Sequence, residues 1–455
     1  MSRFRDDGSV ADWLEFEEAL DRILHGVQAL PYEEVSLEEA PGRVTSQPLL
    51  AHRTLPPSAN SAMDGFAVRA TDVAGATEQA PIDLQIVGDS RPGAGWVGHL
   101  ARGQAVRIMT GGPIPDGADS VIRVEHTDGG QEEGSVRIHS DADRLRHLRP
   151  AGEDMAAGDV ALPAGRRIGA GEVAVLAGIG APSVKVHRRP RVAILSTGDE
   201  LLSVGSHTDP WDEGVPDTNT PTLAQAVLEA GGTPLPMGIA RDSRDSLAEA
   251  LDRVLRARPD LLLTTGGASM GAADLVKPAL AEVGYEPVFW RVKIRPGSPV
   301  SYGTLPRGAP GPDSPGAVDP GPTHVFGLPG NPVSGFVTFQ LLVRPFLMAT
   351  AGRRDHFLPV VEAVASEPLT GARDLAVFLR VGLEPHGGRT GGGSEARYGA
   401  RLTGAQGSGL LNSLGRADGL AVLPRGINRI EAGEGVDVVL LGGEGSGMPR
   451  TPLDP

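Results

Sequence analysis

The sequence predicts a multidomain chain of the α/β plus β class: a three-layer α/β domain on a parallel sheet, an inserted β-rich module and a C-terminal β domain. Three observations predict it. Over residues 187–352, apolar runs alternate with loops and helical patterns, as in a parallel sheet covered by helices. Over 47–148, short alternating runs such as IDLQIV, AVRIM, SVIRV and SVRIH are separated by Gly, Pro and Asp. Over 353–455, further β runs follow: LAVFLRVGL, DGLAVLP and GVDVVLL. The flanks of the module, 1–46 and 149–186, have a mixed texture and are expected to form one N-terminal domain around it.

Taken in order, residues 12–30 read as a helix, with Asp12 as cap, Glu15 completing a capping box and Pro31 as the stop. Trp13, Phe16, Leu20, Ile23, Leu24 and Val27 form its apolar face. In the α/β region RVAILS runs into TGDEL, and a helix follows with Thr220 as cap, Pro221 in its first turn and Gly231 beyond its end. PLPMGIA leads to the helix DSLAEALDRVLRA, DLLLTT through GGASMGAAD to a third helix, and HVFGLP through GNPVSG to FVTFQLLVRPFLM. Ligands on such sheets sit at the strands' carboxyl ends. The loops to inspect are therefore TGDEL, ARDSRD, TGGASMGAAD and LPGNPVSG. The Pro/Gly-rich stretches 305–323 and 386–395 read as mobile loops.

Composition narrows the function. The formal charge is -15, so the chain lacks the general basic footprint of a nucleic-acid binder. Any anionic ligand needs local backbone N–H groups and a few placed Arg or Lys. There is no cysteine, which excludes disulfides, zinc thiolates, iron–sulfur ligation and thiol nucleophiles. The charged N-terminal segment has no apolar core of a signal peptide, and no run reaches the ~18 apolar residues of a membrane span. A cytoplasmic protein is expected.

Residues 267–271, GASMG, match G-x-S-x-G between a strand and a helix. One reading is a nucleophile elbow with Ser269 as nucleophile, Asp274 or Asp319 and His324 or His356 completing a triad. The other is a Gly-rich anion cradle, Gly266, Gly267 and Ser269, opening a helix with Asp274 in its first turn. GAGWVG at 93–98 has G-x-G-x-x-G spacing but follows Arg-Pro and carries Trp96, so it is not a dinucleotide fingerprint. Asp64, Asp154, Glu200 and Asp274 fall in or beside Gly-rich loops. Several such carboxylates, where they converge, suit Mg²⁺, and Glu200 and Asp274 are its expected ligands. Arg291, Lys293 and Arg295 in FWRVKIRPGSP read as an oxyanion clamp in an otherwise acidic chain.

Seven strings in order resemble the molybdopterin molybdenumtransferase family, which includes bacterial MoeA and the C-terminal domain of gephyrin. They are PPSANSAMDGFAVRA, RIMTGGPIPDGADSVIRVE, RPAGEDMAAGD, RVAILSTGDEL, DTNTPTLAQAVLEAGG, LLTTGGASMGAAD and FGLPGNPVSGF. The tail GAQGSGLLNSLGRADGLAVLP is similar to the family's last domain. The resemblance implies an elongated four-domain homodimer that inserts molybdate into molybdopterin-AMP with Mg²⁺-dependent release of AMP. A molybdopterin adenylyltransferase is the implied delivery partner.

Carried over by motif, Asp64, Thr110, Asp154, Glu200 and Asp274 match functional positions. Pro329 and Pro332 shape the anion loop, Ser334 follows, and Arg380 and Ser408 resemble positions around molybdate. The family usually reads Lys-Pro-Gly-Lys-Pro where this chain has Arg295-Pro296-Gly297-Ser298-Pro299, and an earlier family lysine is Arg291 here. Loss of a charge at Ser298 leaves a molybdopterin-binding scaffold without turnover as the alternative, and the seven motifs in order outweigh the serine hydrolase using Ser269.

Overall fold

The first helix is shorter than its apolar pattern suggests. In the computed structural model, which describes residues 13–131, 134–206, 214–266, 275–307, 321–389 and 395–442, it spans Phe16–Leu24. Trp13 lies at a φ of 59° and Leu14 bridges Val292, so the chain before Phe16 is held extended against another segment. Glu15, not Asp12, occupies the cap position, and Asp12 lies outside the described residues. Glu15 Oε1 instead receives Lys293 Nζ and Arg425 Nη1, each at 2.6 Å. Phe16, Leu20 and Ile23 are buried in one core with Val192, Phe326 and Phe378. Residues Val35–Ala51 share a separate core with Leu162–Val186.

The β-rich segment forms a five-stranded sheet that includes Gly65–Val68, Ile82–Ser90, Gln104–Ile108, Ser120–Arg123 and Ser135–Ile138. Short ladders pair Asn60–Ser61 with Leu148–Arg149 and Leu49–Leu50 with Val160–Leu162. The chain thus leaves and re-enters the flanking segment side by side, as an insertion requires. Within G-x-G-x-x-G, Gly98 has a packing role: a Cβ there, or on Gly88 outside the motif, collides with the Trp96 ring, so these two glycines form the slot that holds the indole.

The α/β sheet has six strands in the order Thr233–Ala240, Arg191–Thr197, Leu261–Thr265, Thr323–Leu328, Ser301–Leu305, Glu286–Phe289. The first four are parallel, as the sequence predicts; Ser301–Leu305 then pairs antiparallel with Thr323–Leu328, and Glu286–Phe289 pairs antiparallel with Ser301–Leu305 at the edge. Asn219–Glu229 and Arg244–Ala257 follow the first two strands of the chain. Thr220 does not cap the first of these helices. Asp217 does, accepting the N–H groups of Asn219 and Thr220 at 3.1 Å, because its carboxylate reaches two free donors and Thr220 already lies inside the helix.

The last helix of this unit runs from Pro332 to Thr350 through a π-helical segment, Phe339–Val343. It is long and apolar enough to cross a membrane, but 89% of it is buried inside the fold. Its composition serves the core.

Beyond it, five strands close into a barrel: Val360–Ala365, Ala376–Arg389, Glu395–Leu402, Gly419–Leu423 and Gly435–Leu440, sealed by pairing of Ala376–Arg389 with Gly419–Leu423. Closure removes free sheet edges. Residues 386–389, expected in a loop, continue the long strand, and Arg389 pairs with Glu395. Residues 308–320 and 390–394, the centres of the two expected mobile loops, lie outside the described residues.

Candidate functional site

Strand order places the site. The chain fills Arg191–Thr197 first, then Thr233–Ala240 on one side, then Leu261–Thr265 and Thr323–Leu328 on the other. Order therefore reverses between Arg191–Thr197 and Leu261–Thr265, and ligands bind at the carboxyl ends beside such a switch point. At those ends Thr265 Oγ1 donates to Ser196 Oγ at 3.0 Å. Ser196 Oγ lies 2.9 Å from Thr220 Oγ1, which donates to Asp217 at 2.6 Å. Asn219 Nδ2 donates to Gly330 O at 2.7 Å, tying the Asn219–Glu229 helix to the loop after Thr323–Leu328. Gly266 has a φ of +91°, and a Cβ there would fall 2.6 Å from Thr197 O, so no other residue fits between these strand ends.

Acidic groups gather on the same edge. Glu200 is exposed in the loop after Arg191–Thr197. Asp242 follows Thr233–Ala240 and donates its backbone N–H to Asp199 Oδ1 at 3.1 Å, while Arg241 binds Asp199 O. Partial burial, then the charges of Asp199 and Glu200, raise the Asp242 pKa above its ordinary value. Sequence reasoning selected the loop ARDSRD but not Asp242; its place after a parallel strand was the available signal. Gly267, Ser269 and Asp274 lie outside the described residues. Among the described residues no group of three potential metal ligands converges.

Asp64 and Thr110, far apart in sequence, meet on the inserted sheet. Thr110 donates its backbone N–H at 2.7 Å and its hydroxyl at 2.9 Å to Asp64 Oδ1. These bonds, the backbone one foremost, lower the Asp64 pKa. Asp154 is exposed on a turn whose N–H bonds Leu55 O at 3.1 Å. Among the described residues, no hydrogen bond or ion pair joins Asp64, Thr110 or Asp154 to Glu200.

The basic residues separate. Lys293 is held by Glu15 at 2.6 Å. Arg291 lies 5.3 Å over the Trp13 ring. Arg295 is exposed, beside a short ladder between Ile294–Arg295 and the barrel. Ser298 donates its hydroxyl to Ile294 O at 2.5 Å, so the position where the family has lysine closes the turn here.

The barrel supplies a different cation. Arg380 is fully buried, and among the described residues it forms no ion pair with a carboxylate. Its Nε donates to Ser413 Oγ at 2.8 Å, and its Nη2 to Ala405 O and Gly407 O, both at 3.1 Å. Nη1 is buried without a hydrogen-bond partner, and burial lowers the pKa. The loop it holds reaches the α/β unit, where Ser408 O accepts the N–H of Val333 at 3.1 Å. Val333 lies in the first turn of the helix begun by Pro332, with Pro329 and Ser334 buried around it. A buried guanidinium is thereby joined, through one loop, to the loop after the fourth parallel strand.

Known proteins agree with this architecture. The family model "MoeA N-terminal region (domain I and II)" matches residues 14–180, "Probable molybdopterin binding domain" 193–349, and "MoeA C-terminal region (domain IV)" 362–441. Molybdopterin molybdenumtransferase 2 of Mycobacterium tuberculosis is 34% identical over 409 residues, covering 89% of this chain and 94% of that protein. The molybdopterin molybdenumtransferase of Bacillus subtilis is 31% identical over 441 residues, covering 96% of each. A crystal structure of the molybdopterin biosynthesis moeA protein from Pyrococcus horikoshii OT3 superposes with a TM-score of 0.78 at 26% identity, over 94% of this chain and 100% of that one. With all three family regions matched in order along one fold, the chain belongs to the MoeA, or molybdopterin molybdenumtransferase, family.

Proposed function

We propose that the chain inserts molybdate into adenylylated molybdopterin, cleaving the pyrophosphate, releasing AMP and leaving molybdenum on the pterin dithiolene. The observation that carries this reading is Arg380, a buried cation with an unused donor and, among the described residues, no ion pair with a carboxylate, joined by the loop of Ser408 to the Pro329–Ser334 segment. An unpaired buried charge is costly, and a dianionic substrate such as molybdate offsets that cost. Asn219, Thr220 and Gly330 fix the strand-end loops on which the nucleotide ester sits, with Gly266 and Gly267 giving its phosphates close backbone approach. Arg291 and Arg295 supply further positive charge.

Mg²⁺ is the implied metal. Mutual repulsion of Asp199, Glu200 and Asp242 fits a divalent cation at this edge. Mg²⁺ needs only one or two protein carboxylates when phosphates and water complete its shell. Glu200, with Asp274, would hold it. When bound it neutralises charge developing on the leaving phosphate.

Among the described residues, no hydrogen bond or ion pair joins Asp64, Thr110 or Asp154 to Glu200. The reading therefore includes a homodimer in which the inserted module of one protomer completes the site of its partner. It also includes a molybdopterin adenylyltransferase as the source of substrate, and the domain division 1–46 with 149–186, 47–148, 187–352 and 353–455.

The test is AMP release from molybdopterin-AMP with Mg²⁺ as molybdate is varied. Arg380→Gln should raise the molybdate concentration for half-maximal rate by about 10–100-fold, the worth of a charge-assisted hydrogen bond of about 1.5–3 kcal/mol. An unchanged molybdate response rejects the role of Arg380. Binding of molybdopterin-AMP without turnover in the wild type would favour the scaffold reading.

A further inference from the structure

A cavity of about 190 Å³ lies away from the strand-end loops. One wall is Gly42–Val44, Arg167 and His187–Arg189; the other is Leu228–Gly231 with Ala351 and Arg353. It thus sits where the N-terminal segment meets the α/β unit. The volume is more than ten times what one water molecule needs, about 10–15 Å³.

Five arginines line it, against a single carboxylate, Glu229. Arg188 pairs with Asp260 at 2.7 Å, and Arg43 with Glu33. Arg43 is 8% exposed, also donates to His187 O at 3.0 Å, and has a buried Nε without a partner. Arg189 is half-buried and, among the described residues, donates to no carboxylate or carbonyl. Its Nη2 lies 4.0 Å from the position of a Cβ on Gly42. Burial and then the charge of Arg43 lower its pKa, against the pull of Glu33.

The helices Asn219–Glu229 and Arg344–Thr350 both end at this cavity, so arginines here could serve helix carbonyls. That accounts poorly for Arg189, which makes no such bond. A chain with a net charge of -15 has concentrated cations in one cleft, and among the described residues Arg189 has no carboxylate within ion-pair distance.

We propose that this cavity binds a small tetrahedral oxyanion of the phosphate class, held by the guanidinium of Arg189 with Arg43 and Arg353 beside it. Guanidinium forks match such anions through paired N–H donors. Bound there, the anion bridges the N-terminal segment and the α/β unit. The inference is independent of the catalytic reading and survives its failure.

The experiment is calorimetric titration of the full-length chain with inorganic phosphate at low ionic strength, with melting curves alongside. Wild type should bind phosphate and melt higher in its presence. Arg189→Gln should weaken binding at least tenfold and abolish the thermal gain. Arg189→Lys, which keeps the charge without the fork, should fall between the two. Absence of phosphate binding by wild type up to about 10 mM, weaker than the millimolar range, overturns the proposal. So does an Arg189→Gln titration matching wild type. So does a lower melting temperature of Arg189→Gln without phosphate, combined with no phosphate effect on wild type, because Arg189 is then a helix cap. Should Arg189→Gln fail to fold, the wild-type titration and Arg189→Lys still decide.

Discussion

Asp242 sits beside two other acids at the strand-end loops. Its carboxyl is raised above the ordinary value of 3.8 by partial burial and by two neighbouring acids, so ionisation is opposed in the folded state. The sign follows: the ionised form at neutral pH destabilises the fold, and that cost vanishes as pH falls below 3.8 and the carboxyl is protonated in both states. Asp242→Asn should therefore raise the melting temperature at pH 7 but not near pH 3, while AMP release falls about 10²-fold, the size expected when an electrostatic group of a transition state is lost. Thermal melts at both pH values and an AMP assay check this; a lower melting temperature at pH 7 would count against repulsion at this edge. Asp242 was legible only as one of several acids in loops. Sequence gave its position after a strand, and folding set it beside Asp199 and Glu200.

At the scale of elements, Asp143 holds one corner of the inserted module. It is almost fully buried and accepts the backbone N–H of Arg123 at 3.1 Å, the Arg123 Nε at 3.0 Å and His147 Nε2 at 3.0 Å, with His126 Nδ1 at 2.9 Å. Burial alone raises its pKa, but these bonds and charges outweigh it and hold the carboxyl far below 3.8. A depressed acid contributes stability that is present above its unfolded value and is lost as pH falls toward its folded value. Asp143→Ala should cost about 1.5–3 kcal/mol, the worth of hydrogen bonds to a charged group, since Arg123 can turn to solvent once its partner is gone. Urea unfolding at pH 7 measures it, and the gap between variant and wild type should narrow below pH 4. The alternation of SVIRV and SVRIH made the strands legible. The binding of Arg123, His126 and His147 to one acid was not, because the turn that returns His147 to it depends on positive φ at Leu145 and His147.

Across the whole molecule, Asp64 and Thr110 occupy one sheet and Glu200 and Asp242 another, with no bond between the pairs among the described residues. Light scattering should give a homodimer. Mixed dimers of Asp64→Asn and Glu200→Gln chains should recover about a quarter of wild-type AMP release, because random pairing gives half the dimers one intact site. No recovery on mixing would show that each chain builds its own site.

The sequence by itself determined the parallel strands of the α/β unit, the β character of the inserted segment and the C-terminal region, and the family. Those features follow from local periodicity, turn residues and motif order, which act over a few residues at a time. Tertiary structure decided where the first helix starts, since Leu14 and Glu15 are taken by Val292, Lys293 and Arg425. It decided that Lys293 is engaged with Glu15 while Arg380 is left buried with an unused donor. It also closed the barrel and gathered five arginines around one cavity. The physical reason is common to all of these: burial and charge pairing are set by residues hundreds of positions apart, and no local pattern encodes which of them will meet.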